Sequence, residues 1–329
     1  MRRMAFFLPF RGCAGRCVYC DQRSISGEHG AAPTPASIAH ALRNHRDPVE
    51  LCFFGGSFAR QSLEDISAYL DTVGAAPPGS LVTFSTHPAD FAGERGSRLA
   101  TLLARYPVGT VELGVPSLDA AVLARCNRTE RPEAVARAAA LLRGAGIRIG
   151  VQTMLGLPGQ HFASAEADLR TLCGLKGAEE VWDLRIYPCL VLRDTPLADL
   201  YATGAYTPLS LDEAVRQAGT LLCAARARGF RLLRVGLTDS ADLRGAVVAG
   251  PYHPAFGELA RSEAFVRTLA RQKPHGPWPI PAEATSLLKG HGGRGIRRLS
   301  ELLDLPPQTV ASRLHFSPPA PHSSLQRRS

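Results

Sequence analysis

Three thiols lie within eight residues near the start of the sequence, where RGCAGRCVYC sets Cys13, Cys17 and Cys20 at spacing C-x3-C-x2-C. Thiols this close in a reducing compartment indicate metal. A structural zinc site closes with four ligands, usually as two separated pairs, and no second pair follows at finger or ribbon spacing. His29 is the nearby residue that could be recruited as a fourth. The flanking Gly, Arg, Asp and Gln describe a loop, which argues against three buried structural cysteines. A cubane iron–sulfur cluster fits the count, because three thiolates hold three irons and leave the fourth open to an external ligand. The other five cysteines (Cys52, Cys126, Cys173, Cys189 and Cys223) are scattered among apolar or helical stretches. They read as small hydrophobes, with Cys189 also a candidate reactive thiol or second-cluster ligand.

A loop can hold three irons only if a rigid scaffold presents it. Short apolar runs at 4–10, 50–56, 81–85, 110–115, 147–154 and 181–187 read as strands. Helix candidates lie between them at 35–45, 62–73, 96–105, 132–144 and 164–175. Near-continuous apolar strands alternating with helices imply an α/β fold with parallel strands covered by helices. Six such units suit an open doubly wound sheet or a partial (β/α)6 barrel. In both, chemistry gathers at the carboxyl ends of the strands. The cysteine loop follows the first strand, while FFGGSF and MLGLPG close the second and fifth, so all three should share one rim. Asp183 and Arg185 alternate on the sixth strand and could point inward as a polar pair.

The 329 residues carry 38 Lys and Arg against 29 Asp and Glu, a net charge of +9. Residues 271–329 hold nine of the basic residues and three of the acidic ones, so the excess is concentrated there. The expected organisation is a barrel over 1–190, an accessory region over 191–270 and a basic Pro/Gly-rich tail over 271–329. Within the accessory region a helix is expected over 211–228 and a short strand over 231–235. The tail contains two short amphipathic pieces around a turn, either a small helix-turn-helix able to grip nucleic-acid phosphates or a helical flap. A disordered end, SPPAPHSSLQRRS, would follow. The opening MRRMAFFLPF is too short to be a signal peptide, and no apolar run reaches the roughly 18 residues of a spanning helix. A cytoplasmic protein without membrane association is expected.

The cysteine spacing, with an aromatic residue before the last cysteine at the mouth of a first strand, resembles the radical S-adenosylmethionine (SAM) superfamily. That resemblance implies a partial TIM-like barrel, a 4Fe–4S cluster on Cys13, Cys17 and Cys20, SAM chelating the open iron, and an external one-electron donor of flavodoxin or ferredoxin type. It also implies positions around the SAM. The backbone near Tyr19 would approach the adenine, and Gly55, Gly56 and Ser57 of FFGGSF would meet the methionine amino group. Ser117 of VELGVPSLD and the backbone from Leu155 to Leu157 would line the same site. Gln152 would reach the ribose or the substrate. The segments VELGVPSLD, GLPG and RIYPCLVLRDTPLADLYATGAYTPLSLDEAV further resemble the radical SAM domain of the Elongator catalytic subunit and its prokaryotic relatives, which modify the wobble uridine of transfer RNA. The oxygen-independent coproporphyrinogen oxidases are a more distant likeness.

The departures are specific. Pro116 replaces a glutamine, and STHP, with Ser85 and His87, stands where relatives keep a glutamate near SAM. Arg128 falls where the coproporphyrinogen oxidases hold the SAM carboxylate, although Glu130 replaces the usual neighbouring histidine; a surface arginine at a helix start is the alternative. The acetyltransferase domain of Elongator subunits is not part of the likeness. The expected activity is radical chemistry on a transfer RNA base. The alternatives are a small-molecule or porphyrin-type substrate, or a cluster-bearing nucleic-acid-binding or redox-sensing protein without SAM turnover.

Overall fold

The computed structural model describes residues 1–128 and 131–317. The chain opens with β1 (Arg2–Phe7), α1 (Gln22–Ser26) and α2 (Pro35–Leu42), then β2 (Val49–Phe54) and α3 (Leu63–Asp71), then β3 (Leu81–Thr86) and α4 (Gly93–Leu103). It continues through β4 (Val108–Gly114), α5 (Ala120–Arg125), α6 (Pro132–Gly144), β5 (Arg148–Leu155), α7 (Phe162–Leu175) and β6 (Asp183–Pro188). After β7 (Val191–Leu192), α8 (Pro196–Ala202) and α9 (Leu211–Ala227) come β8 (Arg231–Val235), α10 (Ala241–Ala246) and β9 (Val247–Ala249). Seven strands form one sheet in the order β1-β2-β3-β4-β5-β6-β8, every neighbouring pair parallel. Parallel neighbours require a crossover, which the intervening helices supply.

This is the expected partial barrel with one strand more. The segment 231–235 does not stand apart from the sheet: α9 serves as another crossover and lays β8 beside β6. The short β7 and β9 pair antiparallel with each other. Leu51, Phe53, Val82, Phe84, Val111, Leu113, Val151 and Leu184 are buried under the helices, with Ile38, Leu70, Leu99, Leu142 and Leu172 among the helical residues covering them.

Residues 1–214 and 225–254 form one compact unit, and residues 215–224 with 255 onward form a second. The second unit contains α11 (Phe256–Gln272), β10 (Trp278–Ile280), α12 (Thr285–Leu303), α13 (Pro307–Ser312) and β11 (Leu314–Phe316), with β10 and β11 parallel. Its own core joins Val266, Trp278, Ile280, Leu288, Leu299, Val310 and Leu314. The two amphipathic pieces of the basic segment are therefore helices folded around a core. Inside α12 the backbone leaves the helical region from Gly290 to Gly293, where three residues take positive φ. The terminal stretch beyond Ser317 lies outside the described residues. No helix among the described residues is long and apolar enough to cross a membrane.

Candidate functional site

The loops after β1 and β2 touch backbone to backbone. Leu8 N donates to Phe54 O at 2.7 Å and Ser57 N donates to Arg11 O at 2.8 Å. A Cβ on Gly56, at φ +65°, would lie 2.1 Å from Arg11 O, and one on Gly12, at φ +75°, would lie 2.3 Å from Ser57 O. Only glycine tolerates both the conformation and the approach. The glycine requirement at position 56 thus has a cause inside the protein, in addition to the approaching ligand that the motif suggested. Gln22 ties the same place together. Its Oε1 accepts from Phe10 N and, at 2.7 Å, from Gly56 N, while its Nε2 lies 3.9 Å from Cys13 Sγ. No motif singled out Gln22, and its only sequence signal was standing two residues past Cys20.

Cys13, Cys17 and Cys20 are half-buried free thiols that border one cavity of about 160 Å³. Tyr19, Gly56, Ser85, Arg128 and Gln152 border it too, as do Pro116 and His87. Arg128 is buried, donating from Nη1 to Cys17 Sγ at 3.7 Å and from Nη2 to Gly114 O at 3.0 Å. Its neighbour Glu130 lies outside the described residues. Burial, reinforced by the adjacent Cys17, pushes the Cys20 thiol up to about 12, and burial also raises Cys13.

The donor set fits a cluster better than a single ion. Among the described residues, no three His, Cys, Asp or Glu side chains converge as one ion requires, whereas zinc needs its sulfurs within about 2.3 Å of one point. All three cysteines border one cavity, and a cubane takes one thiolate per iron. The N–H groups of Arg128 and Gln22 that approach the sulfurs are contacts that stabilise thiolate charge. His29 pairs with Asp242 at 3.0 Å and is not part of this wall.

Four expected positions lie beneath the rim. Ser57 Oγ donates to Asp90 Oδ2 at 2.5 Å, Thr86 Oγ1 donates to the same oxygen at 2.6 Å, and His87 N donates to Ser57 Oγ at 2.9 Å. Asp90, which the sequence did not flag, is only 3% exposed. Ser117 Oγ donates to Asp168 Oδ2 at 2.7 Å, and Leu118 N donates to Oδ1 of the same carboxylate at 2.9 Å. Burial raises Asp168 while those two donors oppose the shift. The side chains of Leu155 and Leu157 are buried in the core. These side chains shape the loops from behind, because buried hydroxyls and carboxylates must satisfy one another.

A second chamber of about 440 Å³ shares Tyr19, Cys20, Ser85, Gln152, Met154 and Tyr187 with the first cavity. Gly55 borders this chamber, as do inward-facing residues two apart on the strands, including Arg185 and Tyr187 on β6. Its wall is mostly apolar, with Phe7, Phe54 and Leu192 among the lining, but Glu112, Arg185 and Arg234 set charged groups into it. Arg185 donates from Nε and Nη2 to the two carboxylate oxygens of Glu112 at 2.6 and 2.7 Å, and Gln152 Nε2 donates to Glu112 Oε2 at 2.7 Å. Burial works against the Arg185 charge, but Glu112 and Tyr187 outweigh it and hold the guanidinium charged above its ordinary range. Asp183 accepts from Arg231 on β8 at 2.5 and 2.8 Å. The polar pair expected between Asp183 and Arg185 is therefore replaced by two pairs across strands. Cys189 is not on the rim; it is 1% exposed beside Cys126 and Tyr206, its thiol pushed up to about 12 by burial.

Residues 7–172 match the radical SAM superfamily, and residues 181–265 match the radical SAM C-terminal domain. The chain is 25% identical over 188 residues to the tRNA uridine(34) acetyltransferase of Methanocaldococcus jannaschii, covering 51% of this chain and 34% of that protein. It is 26% identical over 207 residues to the heme chaperone HemW of Escherichia coli, covering 59% of this chain and 53% of that one. It thus spans about half or less of the length of these curated relatives. The solved structure of Methanocaldococcus infernus Elp3 superposes with a TM-score of 0.58 at 19% identity, covering 88% of this chain and 67% of that one. That last likeness is one of fold.

Proposed function

The chain belongs to the radical SAM superfamily, and from that premise we propose that it uses a SAM-derived radical to modify a base of transfer RNA. It is a radical SAM enzyme, cleaving SAM reductively. In our reading Cys13, Cys17 and Cys20 would hold a 4Fe–4S cluster. When bound, such a cluster supplies the electron for that cleavage. Tyr19, Gly56, Ser85, Arg128 and Gln152 would contact SAM directly. Arg128, buried beside Cys17, would offer a guanidinium to the SAM carboxylate, the pairing for which its planar fork is suited. Ser57, Ser117 and the Leu155–Leu157 backbone would hold the loops that shape the site. The observation that carries the reading is that the thiol-bordered cavity and the larger chamber share a wall. A radical formed in the first would meet a substrate in the second without crossing bulk water.

Transfer RNA as the substrate is supported by the relative named for tRNA uridine 34 and by the net positive charge of residues 271–329. An acidic one-electron donor of flavodoxin or ferredoxin class is the implied redox partner. A porphyrin-type substrate is the second reading, favoured by the similarity to a heme chaperone. Nucleoside mass spectrometry of transfer RNA from a strain lacking the gene decides between them. Loss of a modified wobble uridine is expected. Unchanged nucleosides, alongside 5′-deoxyadenosine formation by the reconstituted protein, would remove transfer RNA and leave the second reading.

A further inference from the structure

Arg234, on the strand that the sequence did not place in the barrel, faces the larger chamber. It does so because of a backbone irregularity. Between β6 and β8 the register runs Asp183↔Arg231 and Leu184↔Leu232, then jumps to Arg185↔Arg234. Two residues of β6 are matched by three of β8, which is a bulge. Side chains alternate between faces along a strand. Without the extra residue, Leu233 would stand opposite Arg185 and Arg234 would point away from the chamber.

The result is two arginines directly opposite on adjacent strands, whose backbones run about 4.8 Å apart, and like charges so placed cost stability when nothing lies between them. Glu112 grips Arg185 with both oxygens and neutralises it. Arg3, also on the chamber wall, is neutralised by Glu50 at 2.7 Å. Arg234 instead donates to the hydroxyl of Thr238, and among the described residues no carboxylate forms an ion pair with it. It is half-buried at the chamber wall. Arg185 and Arg234 border only the larger chamber, whereas Tyr19, Ser85 and Gln152 also border the thiol cavity.

We propose that Arg234 is an anion anchor: the substrate presents an oxyanion, a phosphate ester or a carboxylate, to the Arg234 guanidinium and so turns its reacting end toward the wall shared with the thiol cavity. The assignment rests on the reading of the larger chamber as the substrate site. Arg234 fixes which molecules fit, selecting anionic ones over neutral ones of the same shape. Thr238, a neutral hydroxyl, holds the guanidinium in place without cancelling its charge. Such a charge-assisted contact is the strong class of hydrogen bond.

Calorimetric titration of the full, reconstituted chain with SAM tests this, using uridine 5′-monophosphate, glutarate and uncharged uridine as probes. At least one anion should bind more tightly than uridine, and Arg234→Gln should weaken it roughly ten- to a hundredfold. Arg234→Lys, which keeps the charge but loses the fork, should fall between. Uridine monophosphate bound alone identifies a phosphate ester, and glutarate bound alone a carboxylate. Equal affinity of wild type and Arg234→Gln for every anion, or no anion binding by wild type, overturns the assignment. Should Arg234→Gln misfold by circular dichroism, the lysine variant and the salt dependence of wild-type binding decide in its place, and salt-independent binding overturns it. Wild-type 5′-deoxyadenosine release is scored separately. Its absence counts against the enzyme reading alone.

Discussion

The Glu112–Arg185 pair offers a quantitative test of how the barrel interior is held. The side chains are 1% and 11% exposed, so both charges are largely out of water. Replacing Glu112 with Gln preserves volume but leaves a single oxygen for two guanidinium donors, and no charge to balance Arg185. Breaking a buried pair from one side costs about 3–5 kcal/mol. The remaining amide oxygen still accepts one bond, which places Glu112→Gln near 3 kcal/mol, at the lower end of that range. For a unit of this size such a loss lowers Tm by about 6–12 °C. The double variant Glu112→Leu with Arg185→Met removes both charges together and should return to within about 1 kcal/mol of wild type. Urea denaturation of Glu112→Leu, Arg185→Met and the double then forms a cycle; with each single at about 3 kcal/mol or more and the double at about 1, the coupling should reach about 5 kcal/mol. If Glu112→Gln costs less than about 1 kcal/mol and the singles add, the pair behaves like a solvated one, and the picture of a dry, charge-locked wall is wrong.

Alanine at Cys13, Cys17 or Cys20 should each lower iron content after anaerobic reconstitution and abolish 5′-deoxyadenosine release, whereas alanine at Cys189 should leave iron content unchanged; equal iron in all four variants would dismiss the ligand assignment. Gln22→Leu strands the N–H groups of the half-buried Phe10 and Gly56, at about 1 kcal/mol for each; weaker SAM binding in equilibrium dialysis is expected, and unchanged binding would mean the loops hold without it. Arg143, at the head of several donors to Glu180, draws that carboxyl down from 4.5 to about 2. A depressed carboxyl contributes stability that is full above about pH 4.5 and lost toward pH 2. Wild type and Arg143→Gln should therefore differ in urea midpoint at pH 6 and converge near pH 2, and a gap that persists at pH 2 would assign the difference to another cause.

Much of the scaffold was legible because its signals are local. Proline at the first position of α6 and a run of Ala and Leu at helical spacing bounded Pro132–Gly144 correctly. The strand expected over 50–56 ends at Phe54, since Gly55 and Gly56 turn with positive φ. The cysteine spacing marked a loop with three thiols on one cavity, because such spacing is a property of neighbouring residues. Gln22 carried no such signal. Its partners are backbone groups brought close only when two loops stack, and a glutamine in a loop resembles any other solvated polar residue.

The interior of the barrel was decided by tertiary structure alone. Alternation told that Asp183 and Arg185 share a face, but their partners depend on which strands adjoin β6 and in what register. Glu112 lies 73 residues from Arg185 and meets it directly across β5, where Gln152 also donates to Glu112. The bulge opposite Leu184 and Arg185 reverses the facing of Arg234, and a single inserted residue leaves no mark in composition or period. Short-range chemistry is written in neighbouring residues, whereas the pairing of charges across a sheet follows from long-range register, which the chain acquires only on folding.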